Sequence, residues 1–311
     1  MLKHNVRFWL LKVTVVGLVG AVSSSALTKP GLAQNAITPD ATLGGEASTV
    51  APIAPFLPAD FERIDGGAIR GQNLFHSFAE FNINDSGAAY FITPSADIAN
   101  IFARITGGDP SEILGILGTR QADFSMSNAD LFLINPNGII FGENSALDVG
   151  GSFTATTAGG VQFGAAGSFG TIDLDAPASL LSINPSAYFF AGSTQGNISS
   201  RSARVDLIDS STRGLRVSDG EAITFLGGNI LLDSNSFNSG LHAHGGQIQI
   251  GSVNSSGIIG IDTNENLVFP DTLPRSNILL TNGARLDVRT SENGGSINIF
   301  AGNIRLEMIA C

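Results

Sequence analysis

Along most of the chain, apolar residues either cluster in short runs or alternate with polar ones, and each run stops at Gly, Asn, Asp or Ser. That is the punctuation of short β-strands closed by turns. One stretch departs from it. Residues 95–106 (SADIANIFARIT) place Ile98, Ile101, Phe102 and Ile105 at helical spacing and run into Gly107-Gly108, so the pattern predicts one short helix there.

A motif also repeats. Gly-Gly-x-Ile-x-(Ile/Leu) stands at 227–232 (GGNILL), 245–250 (GGQIQI) and 294–299 (GGSINI), with a related start at 276–280 (SNILL). The step from Ile230 to Ile248 is 18 residues, that from Ile278 to Ile297 is 19, and the interval between Ile248 and Ile278 is 30. The spacing predicts coils of 18 to 19 residues, one of them carrying an insertion. A single such unit cannot bury its inward residues, but stacked units bury them as continuous ladders. The expected fold is all-β, a right-handed parallel β-helix with an N-terminal cap, and Ile230, Ile248, Ile278 and Ile297 are expected to point inward. With coils about 4.8 Å apart, a dozen of them would make a rod of about 60 Å. A β-sandwich also fits short strands and regular turns, but the recurrence of one motif favours the solenoid. Most of the 20 Phe residues lie between Phe56 and Phe190, which predicts a thicker, capped N-terminal part.

Composition narrows the class. The chain is 43% hydrophobic and 14% charged, too apolar for disorder. Lys3, Arg7 and Lys12 precede an apolar stretch from Val13 to Ala26, and Gly31-Leu32-Ala33 then offers small residues before a cut ahead of Gln34. Ser24-Ser25-Ala26 is a second possible cut. This is the secretory pattern, and the apolar run falls short of the roughly 20 residues that span a bilayer. The expected product passes through the periplasm, loses residues 1–33 and is secreted or held at the cell surface, with no membrane span in the mature chain. The formal net charge is −11. Removing the leader would leave 12 of the 16 basic residues, all Arg, against 27 acids. Such a surface does not suit nucleic acid or anionic membranes. Cys311 is alone, which excludes a disulfide framework.

Asn135-Pro136-Asn137-Gly138-Ile139 sits inside LFLINPNGIIFG (131–142), a tight reversal between two apolar strands. Taken with GGAIRGQNLFHSFAEFNI (66–83) before it and LDVGGSFTATTA (147–158) after it, this order and spacing resembles the filamentous haemagglutinin N-terminal domain, the secretion (TPS) domain of two-partner secretion exoproteins. ITPDATLGGEAS (37–48) looks like the mature N-terminus of the cyanobacterial branch of that family, and LLSINPSAYFF (180–190) and GLRVSDGEAITFLGGNILL (214–232) look like its following coils. The resemblance implies a secreted, haemagglutinin-like exoprotein with an adhesin role. Its partner would be a TpsB-type outer-membrane β-barrel transporter with periplasmic recognition domains, and cell-surface glycans of a host or neighbour are candidate ligands. It makes Asn135, Pro136, Asn137, Gly138 and Ile139 the transporter-recognition motif. A second family signature, Asn-Pro-Asn-Leu, has no counterpart, the corresponding stretch reading INDSGAAYFITP (83–94). The division implied is a signal peptide at 1–33, the secretion domain at 34–195 and stem coils at 196–311. Met308 to Cys311 resemble neither a polar cap nor a next coil, so the stem is expected to be incomplete, as in a truncated exoprotein.

Candidate chemistry is sparse. His242 and His244 share a strand face, but a metal pair needs further ligands and only His76 remains after the leader, so an exposed polar face is expected. Asp173 and Asp175 also share a face, as paired carboxylates of a glycosidase would, yet no basic cluster surrounds them. The chain is therefore expected not to be an enzyme and to need no cofactor or metal. An extracellular β-helical carbohydrate-active enzyme is the alternative.

Overall fold

The computed structural model describes residues 34–307, apart from 54–59, 173, 208, 235, 237 and 292. The leader and the segment Met308 to Cys311 lie outside them.

The described chain is a parallel β-helix. Each coil visits three faces in turn. The first face is a long sheet in which Asn73–Asn82, Asn100–Ile105, Asp130–Ile134, Phe153–Thr156, Ala222–Gly227, Gln247–Ser252 and Ser296–Phe300 follow one another in parallel. The second runs from Ser111–Ile113 through Ile139–Phe141, Ile198–Ser200, Ile230–Asp233 and Asn277–Thr281 to Asn303–Glu307. The third consists of a five-stranded sheet in the N-terminal half and a three-stranded one, Arg213–Arg216, Ser239–His242 and Arg285–Asp287, further on. Two strands pair antiparallel at the N-terminal edge, Ala36–Pro39 on Asn73–Asn82 and Ser48–Pro52 on Phe61–Gly66. They cap edges that would otherwise offer unpaired backbone groups.

The coil is longer than the motif spacing predicts. In-register steps on the first face are 27 residues from Leu74 to Ile101, 30 to Leu131, 22 to Phe153, and 25 from Ile223 to Ile248. The 18- and 19-residue steps cover only two of the three faces: Ile230 and Ile278 lie on the second, Ile248 and Ile297 on the first. The same Gly-Gly start opens strands at two different corners. With longer coils and two insertions, the first face holds seven parallel strands among the described residues, not a dozen.

Stacking puts Ile139, Ile198, Ile230, Ile278 and Ile304 in one ladder and Ile223, Ile248 and Ile297 in another. Ile230, Ile248 and Ile278 are buried as expected, whereas Ile297 is 41% exposed because its strand lies at the end of the sheet.

A second core lies outside the coil. The insertions 157–197 and 253–276 build an antiparallel sheet of Ser168–Gly170, Gly160–Gln162, Ala187–Phe190, Gly257–Ile261 and Leu267–Val268. It covers the outer side of the first face. Phe75, Phe102 and Phe132, one per coil, stack there at 5.2 and 4.5 Å, and Phe163 and Phe169 meet them edge-on. Arg104 is fully buried among them, 4.3 Å over the Phe169 ring, and donates to Ser77 Oγ and to the carbonyls of Gly170 and Leu174.

This covering explains the helix that is not there. Residues 100–105 form a strand, every residue of it buried. Ile101, Ala103 and Ile105 enter the coil, while Phe102 enters the second core. A strand covered on both faces loses its alternation, and its apolar run fell at helical spacing by coincidence. Among the described residues helix is confined to two short 3-10 turns, Gly44–Glu46 and Gly164–Ala166, and no helix is long and apolar enough to cross a membrane.

Candidate functional site

Asn135 to Gly138 turn the chain from the first face to the second. The Gly138 N–H closes the turn on the Asn135 carbonyl at 3.1 Å. The Asn135 side chain is buried and uses both its ends. Its Oδ1 accepts from the Asn137 N–H at 3.0 Å and from Asn137 Nδ2, and its Nδ2 donates to the Asp109 carbonyl and Ser111 Oγ, both at 3.0 Å. The corner is thereby tied to the coil before it. It is also tied to the coil after it, because Pro136 accepts from the Gly196 N–H and Ile139 donates to the Asn197 carbonyl. Gly138 has φ +131°, and an added Cβ would stand 3.1 Å from the Asn197 carbonyl, so a side chain there is strained and crowded. Of the five motif residues Asn135, Gly138 and Ile139 are buried, Pro136 is half-buried, and Asn137 alone is exposed. Even Asn137 is anchored, its Nδ2 donating to the Gly107 carbonyl at 2.7 Å.

Beside this corner runs a shallow groove of about 390 Å³, lined by Asn137, Ile140, Asn197, Asn229 and Leu231. Ile140 is 37% exposed and stands in register with Ser199, Leu231 and Leu279 on the outer side of the second face. A row of asparagines edges it. The Asn197 Oδ1 accepts from the Asn229 N–H at 2.9 Å, the Asn229 Oδ1 from the Asn277 N–H at 3.2 Å, and the Asn277 Oδ1 from Asn303 Nδ2 at 3.1 Å. The sequence carries a signal for this row, the dipeptide Asn-Ile at 197, 229, 277 and 303, which also stands at 82, 100 and 298 outside the row.

His242 is not on an exposed face. It is buried on the third face, in register with Arg216 on one side and Asp287 on the other. Its ring nitrogens approach the backbone of Arg213 and Asn238 but make no hydrogen bond of good geometry, and burial lowers its pKa. His244 is half-buried, with Nδ1 3.9 Å from Asp219 Oδ1. One ligand atom each from His242, His244 and Asp287 lie within 4.8 Å of one another. The third ligand comes from the next coil, 43 positions beyond His244, which sequence spacing gives no means of pairing. His76, the third histidine among the described residues, is elsewhere, buried with Nδ1 2.9 Å from Ser48 Oγ.

Asp173 lies outside the described residues, and Asp175 sits in an exposed bend rather than on a strand, its carbonyl accepting from Arg104. A groove of about 410 Å³ between the first face and the hairpin at 257–268 contains Asp130, Tyr188, Gln249, Asp262 and Glu265. Burial pushes the Asp130 carboxyl up to about 7, and its Oδ1 accepts from the Ser152 N–H. Asp262 is occupied in holding the hairpin turn, accepting from the Asn264 and Asn266 N–H groups.

Comparison with known families gives one match: the family described as TPS secretion domain fits residues 37–306, most of the chain. No curated protein matches it.

Proposed function

Because the chain belongs to the TPS secretion domain family, a secretion and recognition family rather than an enzyme family, and is thus a two-partner secretion exoprotein destined for the cell surface or the medium, we propose that the corner Asn135–Gly138 and the groove beside it are what its TpsB-type transporter reads. The observation that carries this reading is the exposure of Asn137 next to an apolar row, exposed Ile140 and half-buried Leu231, on the second face. Exposed apolar surface rimmed by polar groups suits a protein partner. Asn135, Gly138 and Ile139 then serve by holding the corner's shape. The leader reading of 1–33 supplies the route into the periplasm, and an adhesive role after release rests on the family resemblance.

The test is secretion in cells that carry the cognate transporter. Ile140→Glu and Leu231→Glu change only outward side chains. They are expected to lower the amount in the medium and raise the periplasmic amount, while the purified variants keep the parent's β-sheet circular dichroism and melting temperature. Normal secretion of both variants would remove the groove from the proposal, and secretion of the parent without a transporter would remove the transporter.

A further inference from the structure

We propose that His242, His244 and Asp287 form a binding site for a late first-row divalent metal ion of the zinc class, clamped between two successive coils of the helix. Three observations converge. The first is the donor set: two imidazoles and a carboxylate whose ligand atoms lie within 4.8 Å of one another. Ligands about 2.0–2.2 Å from one zinc ion stand on the order of 3.5 Å apart, so small side-chain rotations close the site. The second is the state of His242. The residue is 2% exposed, and its ring nitrogens, with only the backbone of Arg213 and Asn238 near them, make no hydrogen bond of good geometry. Buried polar groups are almost always paired, and one that is not calls for an explanation such as an ion. The third is an oxygen. The Asn238 Oδ1 is likewise buried without a partner, and Asn238 lines the same polar cavity of about 310 Å³ as the three ligands. It shares that cavity with the ligands, as a further oxygen ligand or a partner of a metal-bound water would.

The chemistry of the set selects the metal. Imidazole favours zinc and its neighbours over calcium and magnesium, which take oxygen ligands. Competing charges stand near the carboxylate. Arg289 donates through Nε and Nη2 to Asp287 at 2.8 and 2.5 Å, Arg285 stands 3.8 Å from the same carboxylate, and Arg216 bonds Asp206 and Asp219. The Arg289 side chain is 75% exposed, so it can swing into solvent and release the carboxylate. Arg289 is therefore a competitor of the metal. Because the ligands lie on different coils, the ion would bind only after those coils have stacked, and would hold them together.

The experiment uses the full chain without a histidine tag, stripped with a chelator, and Zn²⁺ alone as the ligand. Binding is followed by competition with a chromogenic chelator and by thermal unfolding, and Co²⁺ reports coordination through its visible absorption. Expected are one tightly bound equivalent, a higher melting temperature, and Co²⁺ bands of a site with nitrogen ligands. His244→Gln, at a half-buried ring that stands 3.9 Å from Asp219, should weaken binding by about tenfold or more with little change in the metal-free melting temperature. Asp287→Asn should weaken it too, and Arg289→Gln should strengthen it. Absence of a bound equivalent in the parent, or Zn²⁺ affinity unchanged by His244→Gln in a folded variant, would overturn the proposal.

Discussion

Near two corners of this solenoid a polar amide or ring is buried, Asn135 within its turn and His242 at the end of its strand, and the two are held in opposite ways. At Asn135 every donor and acceptor of the side chain is used, on its own turn and on the preceding coil. At His242 neither ring nitrogen makes a hydrogen bond of good geometry. A self-satisfied corner is a structural device: it fixes the turn and leaves only what points outward, Asn137, for a partner. An unsatisfied corner is stable only through its surroundings and is open to a ligand. The difference separates two roles that residue types alone would not, since the motif at 135–138 looks like a binding site and the histidines look like a polar face.

The largest effect that can break this comparison is at Asn135. Asn135→Leu removes the four bonds of that side chain, to the Asp109 carbonyl, the Ser111 hydroxyl and the Asn137 N–H and Nδ2, and should cost about 4 kcal/mol at about 1 per lost bond; urea unfolding measures it. A cost near zero would mean that the amide network is not what holds the corner.

Acid should sharpen the contrast next. Burial holds the His76 ring down at about 3 and also lowers His242. Below the ordinary histidine range the unfolded chain binds protons that these folded rings refuse, so stability is greatest above about pH 6.5 and falls as the pH drops toward the folded value. For His76 alone the loss at pH 5 is about 2 kcal/mol relative to neutral pH. The cost of Asn135→Leu should not change over that window, because an amide does not titrate. Unfolding curves at pH 7.5 and pH 5 check both statements.

Gly138→Ala should cost about 1 kcal/mol or somewhat more, from a left-handed φ and a crowded Cβ. Asn137→Asp tests recognition less cleanly than its size suggests. The carboxylate cannot donate to the Gly107 carbonyl as Nδ2 does, so about 1 kcal/mol is lost with that bond, and reduced secretion must be compared with reduced stability in the same variant.

The smallest effect is predicted at the other corner. In metal-free protein, His242→Leu removes a buried group that makes no hydrogen bond of good geometry, and should change stability by less than about 0.5 kcal/mol at pH 7.5, becoming stabilising at pH 5. A large loss at pH 7.5 would show that the ring is bonded in solution and would erase the distinction between the two corners.

Much of the architecture was legible in the sequence. Short runs with Gly and Asn punctuation predict strands, and the Gly-Gly-x-Ile recurrence predicts stacking, because each coil must place the same kind of residue at the same corner. Ile230, Ile248 and Ile278 are buried for that reason. The length of a coil was not legible, since one motif serves two corners and the count between its copies spans part of a turn. Nor was the strand at 100–105, whose alternation disappears under the second core. The turn at Asn135–Gly138 could be read from residue preference alone, but not which of its residues would be exposed.

The chain by itself determines its β character, its turns, its acidic surface and the family motif, because these depend on local conformational preference and on residue spacing within a coil. Tertiary structure alone decides that Phe75, Phe102 and Phe132 form a stack outside the coil, that Asn137 faces solvent beside Ile140 and Leu231, and that Asp287 meets His242 and His244. Each of these depends on register between coils and on where two insertions fold back. Register is set by the whole inward ladder at once, so no local stretch of sequence contains it.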